Sequence, residues 1–327
     1  MEACIIKRHP LRAAKAIPSW PSYSGVSQLV GSTADGRVTV YVDPSLGAAG
    51  LKNAQDLLAD APRIVTANDA LFGTTGGPVN VIVFALGGMT DGTGGADHMS
   101  CDYVSGQNIE VDASFGSSMR VSALFEAELS ERSMGGNLCG ESTGESLSRW
   151  CAMAFSANAL SDFATGPTWA ADGMPNFVDS VDPTDRNFDA TGCGMVFLSW
   201  LMSKAFGYSL TQVTQAMVSD GDAGTLASLY SKLTGNPAAN AWPNFSAAVK
   251  GLAGGVQSDD PFNGLVTPAP APNPNPNPTP TPSPAPGPLT SATELASMIL
   301  SAIGADLVAG DTEAQLKADI QSILDAN

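Results

Sequence analysis

Apolar residues recur in two different rhythms along this chain. Before residue 114 they come in short dense runs: Val38 to Val42 (VTVYV), Val79 to Leu86 (VNVIVFAL) and the alternating Asn108 to Ala113 (NIEVDA). Runs of that length, rich in β-branched residues, predict strands, the last of them an edge or half-buried one. Asn53 to Phe72 predicts a helix interrupted near Pro62, and a glycine-rich loop (GGMTDGTGGAD) follows the second strand. From Met119 almost to Val249 the rhythm is helical. Strands with an inserted helix, then mostly helices, predict an α+β fold: a sheet lobe followed by a mainly helical lobe, with a cleft between them as the natural site.

The ends break this pattern. Residues 1–36 read as a basic leader and lead-in, with Lys7, Arg8, Arg12 and Lys15 against the single acid Glu2. No apolar stretch in the leader suits a signal peptide. The main domain is expected at 37–255. In the expected linker, 256–288, proline takes every second position from Thr267 to Pro288 and predicts an extended polyproline rod. Its 22 regular residues would reach up to ~70 Å at about 3.1 Å each. Residues 289–327 predict a helical hairpin, with Leu295, Ile299 and Ile303 on one stripe and Leu316, Ile320, Ile323 and Leu324 on the other. Two short helices bury little surface, so this tail is expected to dock, dimerise or meet a partner.

Charge narrows the partners. With 15 basic against 32 acidic residues, net -17, the chain lacks the clustered cations that neutralise phosphates, which argues against nucleic acid and anionic membranes. No apolar run is long enough to span a bilayer. The five cysteines (Cys4, Cys101, Cys139, Cys151, Cys193) show no CxxC spacing, which disfavours a zinc ribbon or redox pair. Four of them fall in the main domain, and with few lysines this predicts an exported, oxidising location with disulfides. Cys139 and Cys193 both sit beside glycines, which allow close backbone approach, so a bridge between them is one expectation; a reactive thiol is the alternative.

Helix Met119 to Arg132 (MRVSALFEAELSER) carries the candidate chemistry. At 100° per residue, Val121, Leu124, Phe125 and Leu129 share a face into which Glu128 projects. Desolvation there would favour a protonated carboxyl, as general acid-base catalysis near neutrality requires. An ordinary i,i+4 ion pair with Arg132 is the plainer reading.

The segment NIEVDASFGSSMRVSALFEAELSE resembles the edge strand and active-site helix of zincin metallopeptidases, whose signature is HExxH. On that signature Glu128 matches the catalytic glutamate, while Ala127 and Glu131 stand where the two histidines belong. Gly140 to Arg149 (GESTGESLSR) falls where the gluzincin branch carries its third ligand, with Glu145 the better match and Glu141 the runner-up. Thr191 to Leu201 resembles the later helices of bacterial secreted peptidase-like proteins. The resemblance implies a zincin-like domain over about 37–250 with a degenerate metal site. Glu128 would be the base, and Glu131 and Glu145 would be carboxylate ligands for Ca²⁺, Mg²⁺ or Mn²⁺ in preference to Zn²⁺. Solvation and a Glu145–Arg149 pair are the alternative for these acids.

Other candidates are weaker. His98, after the glycine-rich loop, is expected to face solvent. Asp179, Asp182, Asp185 and Asp189 could hold calcium or could simply shape a turn through local hydrogen bonds. GxGxxG after a strand and GxxxxGK[ST] are absent, and Trp150, Trp169, Trp200 and Trp242 are expected in the core. The leading expectation is an exported, catalytically degenerate module that binds a peptide or protein, with no cofactor. The second is an active metal-dependent peptidase using Glu128, and the third a displayed surface protein.

Overall fold

A computed structural model describes residues 18–91, 94–99, 108–135, 137–156 and 159–263. The chain divides into two units, 1–269 and 270–327, and every described residue belongs to the first. The basic leader, the proline-rich rod and the C-terminal hairpin lie outside the described residues.

The strands are β1 (Gln28–Ser32), β2 (Val38–Val42), β3 (Val79–Phe84), β4 (Ala96–His98) and β5 (Asn108–Asp112), in sheet order β1-β2-β3-β5-β4. The three central strands are parallel and the two edges antiparallel. Both faces are covered, and so β2 reads VTVYV and not as an alternation. On one face Val40, Val81, Ile109 and Val111 pack against Leu57 and Ile64 of α1 (Gly47–Phe72) and Phe125 and Leu129 of α2 (Ser118–Ser133). On the other, Tyr41, Ile82 and Phe84 pack against Trp20 and Tyr23.

Three expectations are corrected here. The lead-in expected before residue 37 is part of the domain. It supplies β1, and its backbone and side chain at Ser22 and the Tyr23 amide donate to the buried Glu110 carboxylate at 3.0, 2.6 and 2.6 Å. That side-chain anchor explains a polar residue in β5, which is an interior strand buried along its whole length, not a half-buried edge. Glu110→Ala is expected to cost about 3 kcal/mol or more, since hydrogen bonds to a charged group contribute about 1.5–3 kcal/mol each; urea unfolding checks it. Second, α1 runs unbroken through Pro62. Proline inside a helix costs about 3 kcal/mol. Leu57, Ile64 and Val65, each at most 1% exposed on either side of it, return about 1.5–3 kcal/mol apiece. Third, residues 256–263, expected in the linker, pack on the domain. Asp259 accepts from the Thr165 and Gly166 amides at 3.0 and 2.6 Å, and Asp260 from the Ser199 hydroxyl at 2.5 Å.

The helical part contains α3 (Ser142–Phe155), α4 (Gly166–Ala171), α5 (Phe188–Met202), α6 (Leu210–Asp220), α7 (Leu226–Thr234) and α8 (Ala241–Lys250). Its core is aromatic: Trp200 stacks on Tyr230 at 5.6 Å and Trp169 on Phe245 at 5.7 Å. Trp150, Trp169 and Trp200 are buried as expected, while Trp242 is half-buried at the core margin. Apolar α5 packs closely on its neighbours because of two glycines. A Cβ on Gly192 would sit 2.3 Å from the Thr165 carbonyl, and one on Gly194 2.2 Å from the Ser146 hydroxyl. Gly192→Ala meets backbone that cannot swing away, and overpacking of this kind costs about 1–3 kcal/mol, a loss that chemical denaturation will show.

These glycines serve helix packing and not the expected Cys139–Cys193 bridge. Cys193 is a free thiol, fully buried in the aromatic core, and burial pushes its pKa up to about 12. Cys151 is likewise free and buried, its pKa raised well above the ordinary value mainly by burial. No disulfide joins two described cysteines. Cys139 is disulfide-bonded, so its partner lies outside the described residues.

At the end of β5, Asp112 accepts from the Leu86 amide at 3.0 Å and braces the turn after β3. Burial raises its pKa to about 6, against about 3.9 in an unfolded chain. The folded state therefore holds this proton to higher pH than the unfolded one. The favourable contribution is complete below about pH 4 and is lost as pH rises through 6. Asp112→Asn should accordingly gain stability relative to the parent between pH 4.5 and 7.5, measured by urea unfolding at both; the reverse trend would mean the folded protein prefers the charged carboxylate.

Candidate functional site

Three elements converge on one cavity of about 490 Å³. From α2 come Leu124, Ala127, Glu128 and Glu131, at the i, i+3, i+4, i+7 spacing that places side chains on one helix face. From α3 come Glu145, Ser148 and Arg149, again one face. The third wall is edge strand β4. Its register sets His98 opposite Ile109, whose side chain points to the sheet face that α2 covers, so the imidazole is directed at α2. Met153, Leu160, Phe163 and Phe188 make the remainder largely apolar.

His98 overturns its expectation. It does not face solvent: its side chain is 12% exposed, and Nε2 lies 3.0 Å from Glu131 Oε2 and 3.9 Å from Glu128 Oε2. Nδ1 is buried with no hydrogen-bond partner. The signal is weak in sequence because a three-residue strand inside a glycine-rich stretch leaves too few positions for a period to register. His98 thus brings an imidazole into the cavity from the wall opposite α2.

The expected acids Glu128, Glu131 and Glu145 are brought together. Glu131 from α2 and Glu145 from α3 face the same cavity. The Glu145 pKa is raised, first by burial and then by Glu131, although Arg149 opposes this through a 2.6 Å ion pair. That i,i+4 pair was the plainer reading of Glu145, and it coexists with a place in the cavity. Glu128 is raised well above the ordinary value by burial, with Glu131, Glu145, Asp97 and Asp185 adding repulsion. Glu141 precedes the first turn of α3 and does not line the cavity, so of the two α3 candidates Glu145 is the one that reaches it.

His98, Glu131 and Cys139 offer ligand atoms all within 4.8 Å of one another, the one metal-competent cluster among the described residues. In its disulfide Cys139 offers no thiolate. With Cys139 bridged, that cluster keeps His98 Nε2 and a Glu131 carboxylate oxygen, and Glu145 lines the same cavity; imidazole and carboxylate donors suit a divalent ion. The acids at 179–189 form no such cluster. Asp182 is occupied by the Thr184 amide and hydroxyl and by Asn187, at 3.0, 2.7 and 2.6 Å, as a turn-forming aspartate should be. Asp179 takes Asn176, and Asp185 lies at the cavity edge.

Compared with known proteins, the chain matches no family model, no curated protein and no solved structure. No described helix is long and apolar enough to cross a membrane.

Proposed function

We propose that this domain is a metal-dependent hydrolase of peptide or related acyl bonds, in which His98, Glu131 and Glu145 hold a divalent cation and Glu128 is the general base. The observation that carries this reading over a purely binding role is His98. An imidazole 3.0 Å from Glu131 Oε2, in a cavity that Glu128 and Glu145 also line, replaces a bare acidic cluster with a mixed donor set. Support for the zincin-like likeness comes from the arrangement itself: an antiparallel edge strand, β4, beside the helix that follows interior strand β5.

A divalent cation in such a set supplies a Lewis acid that polarises a carbonyl and acidifies water. The chain's own groups do the rest. Glu128, with its carboxylate 3.9 Å from His98 Nε2 and its pKa raised by burial, accepts a proton from the attacking water and passes it to the leaving amine. Arg149 orients Glu145 through its ion pair and fixes itself by donating to the Phe163 carbonyl at 2.6 Å. The apolar walls exclude bulk water, which strengthens these interactions.

The test is incubation of the full chain with a mixed peptide library and zinc or manganese, read by mass spectrometry. Cleavage abolished by a chelator and restored by cation is expected. Retained metal without cleavage would sink the hydrolase and leave the exported peptide-binding module, in which β4 pairs with an extended ligand.

A further inference from the structure

We propose that Cys139 is a redox-controlled ligand of this same site, silent while in its disulfide and coordinating once reduced; this rests on the reading that His98, Glu131 and Glu145 hold a divalent cation. Cys139 Sγ lies 3.5 Å from His98 Nε2. Donor atoms bound at about 2.0–2.3 Å around a tetrahedral ion are themselves about 3.3–3.7 Å apart. The His98–Cys139 and His98–Glu131 separations, 3.5 and 3.0 Å, are therefore close to those within one coordination shell.

The sulfur's position does not depend on the disulfide. Leu138, immediately before it, holds the left-handed conformation with φ 63°, a region costly for a residue with a β-carbon. It is kept there by its own side chain, 1% exposed in the helical core, and by its amide, which donates to Asp222 at 2.6 Å. Opening the disulfide leaves this anchor in place, so the freed sulfur stays beside His98. Cys139 is half-buried and within reach of a small reductant, whereas Cys151 and Cys193 are fully buried.

The redox step is a two-electron exchange. A dithiol attacks the disulfide, its two S–H groups are oxidised to an S–S bond, and Cys139 and its partner each leave with one of the two protons as thiols. The donor set then changes from imidazole and carboxylates to imidazole, carboxylates and thiolate. Hard ions such as Mn²⁺ and Mg²⁺ suit the first set and Zn²⁺ the second, so the redox state of Cys139 selects the metal.

Cobalt(II) titration of the full chain distinguishes the cases. One sample stays oxidised; another is reduced with a dithiol and desalted without oxygen. Reduced wild type should show a near-ultraviolet thiolate-to-cobalt charge-transfer band. The oxidised protein and reduced Cys139→Ser should bind cobalt with visible d–d absorption alone. Zinc should bind reduced wild type about 10-fold or more tighter than it binds reduced Cys139→Ser. Cobalt bound by reduced wild type without the charge-transfer band overturns the proposal and leaves the metal site standing, as does a band that persists in Cys139→Ser. Absence of cobalt binding in every sample overturns both. The comparison of oxidised with reduced wild type needs no variant, so it holds even if Cys139→Ser folds poorly.

Discussion

Glu128→Gln is expected to lower hydrolysis by about 100- to 10,000-fold, the range a positioned general base contributes, with bound metal unchanged. Glutamine keeps the size and one acceptor oxygen but cannot take a proton. Electrostatics supply a second readout. The Glu128 pKa is raised by burial and by four neighbouring acids, so the folded protein holds this proton above the ordinary carboxyl range. The corresponding stability is present at low pH and lost as pH rises through the raised value. Glu128→Gln should therefore gain stability relative to the parent as pH increases, in metal-free protein, while losing activity. A base can yield both results; a residue that merely braces the fold would lower stability at every pH. An unchanged cleavage rate would remove Glu128 from the chemistry.

Glu131→Gln is expected to weaken cation binding by at least about 100-fold, because even partners outside the coordination shell contribute about 10- to 100-fold. Glu131 lies 3.0 Å from His98 Nε2 and lines the same cavity as Glu145, the other two proposed ligands. Its loss dismantles the set, whereas replacement of Glu141, outside the cavity, should leave affinity near wild type. Because protons must leave the acids before a cation enters, wild-type affinity should rise with pH. Isothermal titration with zinc and manganese at two pH values measures both effects.

Period alone made much of this architecture legible. The VTVYV and VNVIVF runs are continuous because their strands are interior and parallel, and the acids at 128 and 131 share a face because three residues is nearly one helical turn. Glu145 was readable through its place in the GESTGESLSR segment. What could not be read depends on long-range contact. His98 lies on a strand of three residues that exists only by pairing with β5, and its local sequence looks like a solvated loop. Glu110 looks like the polar half of an alternating strand, yet its partners, Ser22 and Tyr23, are more than eighty residues away in the chain. Gly192 and Gly194 looked like sites where a disulfide could close; their neighbours on α4 and α3 show that they make room for backbone and side chain.

The central claim is that a carboxylate–histidine set in the α2–α3–β4 cavity binds a metal. It is tested most directly by elemental analysis of the full chain, purified without chelator and equilibrated with zinc and manganese, beside a Glu131→Gln/Glu145→Gln variant. About one metal ion per chain in the wild type, absent from the folded double variant, is the expected result. Wild-type protein without metal, or a double variant that retains it in full, would contradict the claim.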